Sequence, residues 1–566
     1  MFNRRDFIKG GLSAVCLGLS QRRALGLLPF DSPGAAGRPL LQSRPFAAVP
    51  LHPTSIIVDQ LPFADWFTGD SYPNDNIPFH SIPPLPNGPP PPEEDVDVAI
   101  IGGGISGLST ALLLRHLRPV LFELAPRFGG NARGEIWGGA PFSFGGAYFI
   151  TPDEGSFLDR FYRRLGLDRV ARVDSGDSPV ELGGKIIDGF WDGAGQPPET
   201  VLAFKRYAEI VQYYADESYP EIPLPEGKDN QWIIDLDAKT LREDIEEKMN
   251  GLPIPPLLAA AIQGYCYSSF GIGWDNLSAA GGWNFIAAEE FGRWVLPGGN
   301  AFLVDAMWRK LLALERRNRP PLLRPGSQVF DVRVVPGDRV LVTYLDPAGV
   351  TRSLRARRVV MANGKHIAKY MIHELGERDP AKFEAMHNID TMAYVVANVL
   401  LKQPIPHVPY DTFLLRDGNF PMTPDSFAAN SHFVDVVNGS FARNGRGPRS
   451  VLTLYWPLPW FQGRYSLYTD ESWLEYAERI APDVRAALAL YGLSADSVEQ
   501  IRFTRWGHPV PICSPRLIAD GVVDNLRRPF EGRIYFVNQD NWGLPAVENS
   551  LLDAKFYADQ IACELG

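Results

Sequence analysis

The sequence has few cysteines and no long uninterrupted apolar run, and each shortage excludes a class of protein. The 566 residues include four cysteines, without a C-x-x-C pair or a Cys/His metal spacing, so no structural zinc site is expected. Cys16 lies in the N-terminal segment, and Cys266, Cys513 and Cys563 leave at least one thiol unpaired. The apolar run at residues 10–19 is too short and too glycine-rich for a membrane span.

The sequence also has fewer basic than acidic residues, 55 Lys and Arg against 66 Asp and Glu. The formal net charge is −11, which argues against nucleic acid and anionic membrane surfaces as partners. A negative protein is compatible with a cationic substrate, although most of this charge is expected on the solvated surface. At 566 residues the chain is long enough for a large core, most simply in two domains.

What the sequence does contain is an ordered nucleotide-binding pattern that begins at residue 95. An apolar strand pattern at residues 96–101 precedes Gly102, Gly104 and Gly107 in the spacing G-x-G-x-x-G. A helical run to residue 117 and a second strand at 119–122 follow, and the strand ends in Glu123, 21 residues after Gly102. This order predicts a dinucleotide fold in which the helix N-terminus faces the phosphates and Glu123 binds the ribose hydroxyls.

The residues after Glu123 indicate which dinucleotide is bound. They read E-x-x-x-R-x-G-G-x-x-R, with Arg127, Gly129, Gly130 and Arg133 at the fixed positions. This stretch resembles the FAD signature of the flavin amine oxidase superfamily, in which the second glycine pair and its arginines line the pyrophosphate and the flavin. The alternative interpretation is that Gly129 and Gly130 form only a turn and that Arg127 is a solvated charge.

The resemblance implies FAD contacts along much of the chain. Gly145 and Gly146 allow close backbone approach beside the flavin ring, and Val329 matches the valine whose backbone holds the adenine. In the closing motif Asn538 stands where the family has glycine, which leaves the ribityl partner open between Gln539 and Asp540. The implied cofactor residues are Gly102, Gly104, Ile105, Ser106, Gly107, Glu123, Leu124, Arg127, Gly129, Gly130, Asn131, Arg133, Gly145, Gly146, Ala147, Val329, Gln539, Asp540, Ala546 and Val547.

A finer likeness is to the spermidine dehydrogenase branch of the superfamily, on residues 128–134, 394–401 and 538–540. Members of that branch can hold haem b. The sequence has no C-x-x-C-H, and no axial ligand can be chosen among its nine histidines, so haem b is retained only as a possible second cofactor.

The expected fold class is α/β: a Rossmann-like FAD-binding domain of the amine oxidase type with an inserted α+β substrate domain. FAD-domain segments are predicted at 95–152, 291–378 and 494–566, and substrate-domain segments at 153–290 and 379–493. A proline-rich arm without a domain of its own is expected at 38–94. Aromatic residues at 265–285 are expected mostly in the core, with a minority facing a substrate cavity.

The N-terminus predicts export. Residues 3–9, N-R-R-D-F-I-K, resemble a twin-arginine signal, which suits a protein that must load FAD before crossing a membrane. The predicted signal peptide covers residues 1–37, with cleavage between about residues 24 and 37. Expected localisation is therefore periplasmic or otherwise exported, with the twin-arginine machinery as a partner; a basic tail on a cytosolic enzyme was the alternative.

The resemblance implies hydride transfer from the carbon beside a neutral, polyamine-like amine to flavin N5. Asn398 stands where many amine oxidases keep a lysine, so a dehydrogenase is favoured over an oxidase, with a quinone, a cytochrome or oxygen as acceptor. Trp542 and His508 are the candidates for the pocket wall. Two alternatives stay open: FAD-dependent oxidation or desaturation of a non-amine substrate, and an FAD-bound electron-relay or partner-binding protein without turnover.

Overall fold

The computed structural model describes residues 38–50, 55–70, 82–174, 178–315, 319–405, 409–416, 418, 433–443, 447–459, 463–467 and 472–566. The predicted signal peptide at 1–37, with Arg4, Arg5 and Cys16, lies outside these residues. Among the helices that are described, none combines the length and the apolar character that crossing a bilayer requires.

The described residues form 22 β-strands. In chain order the strands are β1 (Phe46–Ala48), β2 (Ser55–Val58), β3 (Leu61–Gly69), β4 (Asp95–Ile101), β5 (Val120–Phe122), β6 (Gly134–Trp137), β7 (Ala140–Ser143), β8 (Tyr148–Ile150), β9 (Arg172–Asp174), β10 (Val180–Leu182), β11 (Lys185–Ile187), β12 (Arg293–Val295), β13 (Leu323–Arg324), β14 (Gln328–Val335), β15 (Arg339–Leu345), β16 (Thr351–Met361), β17 (Thr391–Leu401), β18 (Asp411–Arg416), β19 (Asp435–Asn438), β20 (Ser450–Pro457), β21 (Val498–Pro511) and β22 (Ile534–Phe536).

The described residues also form 15 α-helices. In chain order they are α1 (Arg38–Gln42), α2 (Ile105–Leu113), α3 (Phe157–Leu165), α4 (Pro198–Asp216), α5 (Gln231–Asp237), α6 (Leu241–Lys248), α7 (Pro256–Phe270), α8 (Ala279–Glu289), α9 (Asn300–Leu312), α10 (Lys365–Met371), α11 (Leu375–Arg378), α12 (Pro380–Asn388), α13 (Ser472–Leu490), α14 (Val522–Arg527) and α15 (Val547–Leu565). Short 3₁₀ turns include Gly130–Ala132 and Gln539–Trp542.

The nucleotide-binding pattern folds into a seven-stranded sheet in the order β13-β5-β4-β16-β15-β14, with β22 pairing β16. β5, β4, β16 and β22 run parallel to one another. Val98 and Ile100 of β4 pack in the core beneath α2, α9 and α15. Ala99 and Ile101 pack on the opposite face, against α10 and α14. The alternation of β4 therefore buries both faces of the sheet, as a doubly covered parallel strand requires, and the predicted α/β, Rossmann-like class is confirmed.

A second, nine-stranded sheet has the order β11-β10-β18-β19-β20-β17-β21-β3-β2. On one face Val395, Ala397 and Val399 of β17 pack in a core that includes α13. A helical layer that includes α4 to α8 forms a further core, which Phe413 of β18 joins from this sheet. The other face of β17 carries Tyr394 and Val396, and it is this face that the functional site uses.

Two sequence boundaries change in the structure. Residues 498–511 form β21, which pairs with β17, so the predicted FAD-domain segment that starts at 494 begins with a strand of the second sheet. Within the predicted arm, β2 and β3 form an antiparallel pair, and β3 adds in parallel to β21. The arm thus supplies strands to the second sheet. The many prolines of the arm concealed these strands in the sequence, although β3 itself contains only one proline, Pro62.

Candidate functional site

One cavity of about 720 Å³ is lined by residues of both sheets. Its first end lies at the carboxyl ends of β4, β5 and β16, where ligands bind in open α/β sheets. Its second end lies against the face of the nine-stranded sheet that carries Tyr394 and Val396 of β17. Of the twenty residues that the sequence assigned to the cofactor, the structure brings eighteen to the wall of this cavity. The exceptions are Gly107 and Arg127.

Of the three glycines in the first motif, only Gly104 leaves space for a ligand to approach the backbone closely. A Cβ on Gly102, whose φ is +108°, would lie 2.8 Å from the carbonyl oxygen of Ala362. A Cβ on Gly107 would lie 1.8 Å from the carbonyl oxygen of Gly102, so Gly107 serves helix-to-strand packing and not the cavity. Beside Gly104 the nearest protein atom to an added Cβ is the Gly130 Cα at 3.7 Å, which leaves space on the cavity side.

Helix α2 begins directly at this space. Its N-cap is Gly104, and no side chain caps the first turn. The backbone N–H groups of that turn are therefore available to an anion, and the positive end of the helix dipole favours one. Ile105 and Ser106 of the first turn also line the cavity. This is the chemistry that a pyrophosphate needs.

Glu123 follows β5 and lies in the cavity wall. Its Oε2 accepts a hydrogen bond of 2.8 Å from the Gly103 N–H, and its Oε1 accepts one of 2.8 Å from the Ala125 N–H. Burial raises the pKa of Glu123, while these two N–H groups and Arg133 oppose the rise. Each carboxylate oxygen keeps a further lone pair, so the residue can still accept from ribose hydroxyls.

The second glycine pair packs against the first motif. A Cβ on Gly130 would lie 3.1 Å from the Gly104 Cα, and Gly130 itself has a φ of +54°. Arg133 lines the cavity and is fixed by hydrogen bonds of 3.1 Å to the carbonyl oxygens of Gly130 and Gly69. Both features agree with a tight turn at which a phosphate meets backbone and a cation.

Arg127 corrects the sequence prediction. It does not line the cavity; its guanidinium lies 5.9 Å from the centre of the Phe144 ring. Burial lowers the pKa of Arg127, Arg133 lowers it further, and the nearby Glu135 raises it. The physical reason is that Phe128 is fully buried against Gly103, which turns the preceding residue away from the cavity.

The C-terminal turn completes this end of the cavity. Gln539 donates from Nε2 to the Pro509 carbonyl oxygen at 2.5 Å, and Asp540 Oδ2 accepts from the Lys365 N–H at 2.8 Å. Burial raises the pKa of Asp540, and Lys365 opposes that rise. Gln539 and Asp540 both line the cavity, so the choice between them as the ribityl partner stays open.

The floor of the second end is one face of the nine-stranded sheet. Phe413, Asp435, Tyr455 and Val396 are consecutive cross-strand neighbours from β18 to β17. Tyr455 donates from its hydroxyl to the Gly145 carbonyl oxygen at 2.7 Å, and Trp506 of β21 donates from Nε1 to the Phe144 carbonyl oxygen at 2.9 Å. These bonds tie the sheet to the glycine turn of the dinucleotide end.

The three predicted catalytic residues do not lie together. Asn398 is fully buried and does not line the cavity; its Nδ2 donates to the Thr453 Oγ1 at 3.1 Å and to the Ser143 carbonyl oxygen at 3.3 Å. Trp542 also lies outside the cavity wall, in the helical core with Arg527 4.0 Å from its ring centre. The structure therefore corrects the placement of Asn398 and Trp542 in the cavity wall. On β17 the residues that line the cavity are Tyr394 and Val396, and Asn398 lies two residues beyond Val396.

His508 does line the cavity, and a second histidine accompanies it. The rings of His508 and His366 stack at 3.8 Å between centroids with 13° between their planes. His508 Nδ1 lies 2.7 Å from the Thr391 Oγ1. No sequence motif points to His366, because it lies in the first turn of α10, which only the tertiary structure brings to the cavity.

Two acidic residues of the cavity wall were also missed by the sequence reasoning. Asp411 and Asp435 line the cavity and are 4% and 3% exposed. The available signal was a carboxylate at the first position of a strand whose next residues are largely apolar. Of the aromatic residues at 265–285, Phe285 faces the cavity, whereas Tyr265, Tyr267, Phe270, Trp274 and Trp283 pack in the helical core. The described residues contain no group of three or more His, Cys, Asp or Glu side chains arranged for a metal ion.

Comparisons with known proteins agree with this architecture. Residues 100–165 match the family model described as an NAD(P)-binding Rossmann-like domain. The chain is 23% identical over 523 residues to oxidoreductase PigB of Serratia sp. (strain ATCC 39006), covering 83% of this chain and 76% of that protein.

Solved structures with the same fold include three enzymes that differ in their named substrates. Cyclohexylamine oxidase from Brevibacterium oxydans IH-35A superposes with a TM-score of 0.58 at 18% identity, over 83% of this chain and 99% of that one. Wild-type putrescine oxidase bound to putrescine gives 0.57 at 16% identity, over 83% and 99%. A fatty acid isomerase from P. acnes that produces CLA gives 0.57 at 16% identity, over 82% and 98%. At these identities the likeness establishes a shared fold.

Proposed function

We propose that this protein, in which one continuous cavity joins a dinucleotide cradle to an aromatic and acidic chamber, is an FAD-dependent oxidoreductase that oxidises a C–N bond of an amine. The observation that supports this proposal most directly is that one cavity extends from Gly104 to Asp435. The similarity to cyclohexylamine oxidase and putrescine oxidase supports the amine. FAD when bound would supply the hydride acceptor.

The residues of this chain would bind and orient the reactants. Gly104, Glu123 and Arg133 suit the pyrophosphate and ribose of FAD, and Gln539 or Asp540 suits its ribityl chain. Rings of Phe285, Tyr394 and Tyr455 line the chamber in which the substrate carbon would lie. Apolar surroundings lower the pKa of an amine, so this chamber favours the neutral amine that hydride loss from the adjacent carbon requires. The resulting imine is then hydrolysed by water to a carbonyl compound and a free amine.

Anaerobic titration tests the amine proposal. The purified protein is expected to show a flavin spectrum that is bleached by alkyl amines and not by the corresponding alcohols or alkenes. Bleaching by alkenes or alcohols alone would favour the second candidate, a non-amine substrate, for which the shared fold of the fatty acid isomerase is the supporting observation. A flavin that no substrate class bleaches would favour an electron-relay or partner-binding role.

The enzyme is further proposed to be a dehydrogenase. β17 presents Tyr394 and Val396 to the cavity, and neither side chain carries a positive charge. A cation about 4 Å from a nascent superoxide would stabilise it by up to ~4 kcal/mol at an effective dielectric of ~20. Losing half of that stabilisation slows the reduction of oxygen by roughly 30-fold. Electrons are therefore expected to leave to a quinone, a haem or a carrier protein, and haem b as a bound cofactor stays part of this proposal.

Stopped-flow reoxidation checks this expectation. The substrate-reduced enzyme should react with air-saturated buffer much more slowly than with an artificial quinone. Val396→Lys, which places an amine on the cavity face, should accelerate the oxygen reaction by up to roughly 30-fold, and the size-matched Val396→Met should not. Wild-type reoxidation by oxygen as fast as by the quinone would establish an oxidase instead.

Export by the twin-arginine route is also proposed, on residues 3–9 of the sequence. Replacing Arg4 and Arg5 together by lysine should retain the protein in the cytoplasm, because the route reads the arginine pair and not charge alone. Lys9→Arg is the matched control and should leave export unchanged. An unaltered periplasmic fraction in the double variant would contradict the signal.

A further inference from the structure

The arm, residues 38–94, holds both ends of the turn that carries the second glycine pair. The Ser43 carbonyl oxygen accepts a hydrogen bond of 3.0 Å from the Phe128 N–H. The Pro45 carbonyl oxygen accepts one of 3.3 Å from the Gly134 N–H. Backbone groups on either side of the FAD signature turn are therefore satisfied by the arm and not by the nucleotide-binding unit itself.

A buried side chain of the arm strengthens this contact. Phe46 of β1 is 3% exposed. Its ring fills the space beside two glycines, because a Cβ on Gly134 would lie 2.9 Å from Phe46 Cε1 and a Cβ on Gly298 would lie 2.8 Å from Phe46 Cζ. Arg44 donates from Nε and Nη2 to the two carboxylate oxygens of Asp305 on α9, at 2.7 and 3.0 Å. The arm therefore connects the second glycine turn with α9, whose first residue lines the cavity.

The last strand of the arm, β3, ends in the cavity wall itself. Gly69 and Asp70 line the cavity, as Arg133 does. The Gly69 carbonyl oxygen accepts the hydrogen bond of 3.1 Å from Arg133 Nη2. Gly69 has a φ of +90°, and an added Cβ would lie 2.3 Å from the Arg505 carbonyl oxygen, so this conformation requires glycine. The orientation of the cavity guanidinium thus depends on a residue of the arm.

Asp70 makes the corresponding contact at the other end of the cavity. Its Oδ2 accepts a hydrogen bond of 2.8 Å from the Gly507 N–H. Its backbone N–H donates to the Arg505 carbonyl oxygen, and its carbonyl oxygen accepts from Arg505 Nε, both at 2.9 Å. Trp506 and His508, the two neighbours of Gly507, line the cavity. Asp70 therefore fixes the part of β21 that presents these two rings.

Arg133 is the partner that the arm and a bound pyrophosphate would share. Its guanidinium carries five N–H donors, and the bonds to Gly130 and Gly69 use two of them. A guanidinium that the protein already holds in place loses less freedom when it binds an anion, and binding is tighter for that reason. A bound anion in turn restrains Arg133 in the position in which it contacts Gly69.

We propose that the arm is part of the FAD site, and that FAD binding and docking of the arm stabilise each other by the same factor. Gly69 and Asp70 are the positioning residues. Gly69 acts through Arg133, and Asp70 acts through Gly507. This inference rests on the FAD binding of the proposed function and concerns retention of the cofactor, whichever substrate is oxidised.

Cutting the chain between the arm and the residues that follow it tests the coupling with every native contact intact. A protease recognition sequence is inserted between Asn87 and Gly88, in an exposed turn where a Cβ on Gly88 would meet nothing within 4 Å. The cleaved holoenzyme should retain the arm in size-exclusion chromatography. When FAD is removed, the dissociation constant of the arm should rise about 10-fold or more, as expected for losing the support of one charge-assisted hydrogen bond. Added FAD should restore retention.

Linkage supplies a second measurement on the same cleaved protein. The dissociation constant of FAD should rise, on removal of the arm, by the factor by which that of the arm rises on removal of FAD. An arm that only stabilises the fold would not respond to the cofactor. Two factors close to one would therefore overturn the inference.

Point variants identify the contact. Asp70→Ala removes the acceptor for the Gly507 N–H and should raise the dissociation constant of FAD about 10-fold or more. Asp70→Asn keeps a side-chain oxygen that can accept this bond and should recover most of the affinity. Asp59→Asn is the matched control, because it breaks an ion pair between the arm and Arg485 outside the cavity wall. Unchanged FAD affinity in Asp70→Ala, or an equal loss in Asp59→Asn, would contradict the assignment.

The outcomes separate this inference from the proposed function. If amines bleach the flavin while the arm is released equally with and without FAD, the arm is a structural appendage and the proposed oxidation stands. If the arm and FAD are coupled while no amine bleaches the flavin, the proposed oxidation fails and the role of the arm stands. A wild-type protein that binds no FAD would overturn both.

Discussion

Replacing Gly104 by valine is expected to yield a folded protein without FAD. The backbone of Gly104 has a φ of −79°, which any L-residue adopts. An added Cβ would meet its nearest protein neighbour, the Gly130 Cα, at 3.7 Å, an ordinary contact. The substitution therefore leaves the apoprotein unstrained at this point and fills the space above the first turn of α2. Overfilling a packed site costs about 1–3 kcal/mol, which corresponds to a loss of FAD affinity of roughly 5- to 150-fold.

The ratio of visible flavin absorbance to protein absorbance measures this effect. Gly376→Val is the matched control, because an added Cβ there meets Phe383 at 3.5 Å, outside the cavity wall. The control should keep its flavin. A Gly104→Val protein with a full flavin spectrum would show that the cofactor does not approach this turn, and the cofactor assignment of the whole cradle would then be wrong.

Replacing Arg293 by methionine is expected to destabilise the protein strongly, and more so as the pH rises. Arg293 is 1% exposed and is the only guanidinium paired with the described carboxylates of Asp174 and Asp411. Removing one partner of a buried ion pair costs about 3–5 kcal/mol, since it leaves buried charge uncompensated. The surface-side Arg333→Met, which breaks a single bridge to Asp331, should cost under about 1 kcal/mol.

The pH dependence follows from the direction of the pKa shifts. The folded-state pKa of Asp411, about 7, lies above the ordinary carboxyl value. A group of this kind favours the folded state fully at low pH, and that contribution is lost as the pH rises through the folded pKa. Without Arg293 the acids hold their protons more strongly, so the deficit of the variant should be small near pH 5 and largest above about pH 8.

Urea unfolding near pH 5 and above pH 8 measures whether the stability deficit of the Arg293→Met variant grows with pH. The double variant Arg293→Met/Asp411→Asn should recover part of the stability at the higher pH, because it removes one of the unpaired charges. A deficit that is equal at both pH values, or no recovery in the double variant, would show that Arg293 acts through packing and not through charge.

The sequence by itself determined the dinucleotide end of the molecule. Glycine spacing, an apolar strand and a terminal acid are local features, and Gly102, Gly104 and Glu123 meet at one cavity wall because one β-α-β unit holds them all. Most of the later cofactor positions also reach the cavity wall. The stretch 394–401, which carries part of the likeness to the spermidine dehydrogenase branch, falls inside β17. The prediction of Arg127 fails because the burial of Phe128, a tertiary contact, rotates its neighbour away.

Only the tertiary structure decided which residues form the substrate end. Asn398, Val396 and Tyr394 share one face of β17, and sequence alternation cannot tell which of them meets a cavity and which meets the interior. His366 and His508 are 142 residues apart in the chain and stack on each other. Asp411 and Asp435 become a pair because β18 and β19 are adjacent in the second sheet. Strand pairing over such separations depends on the packing of the whole chain, and no local pattern encodes it.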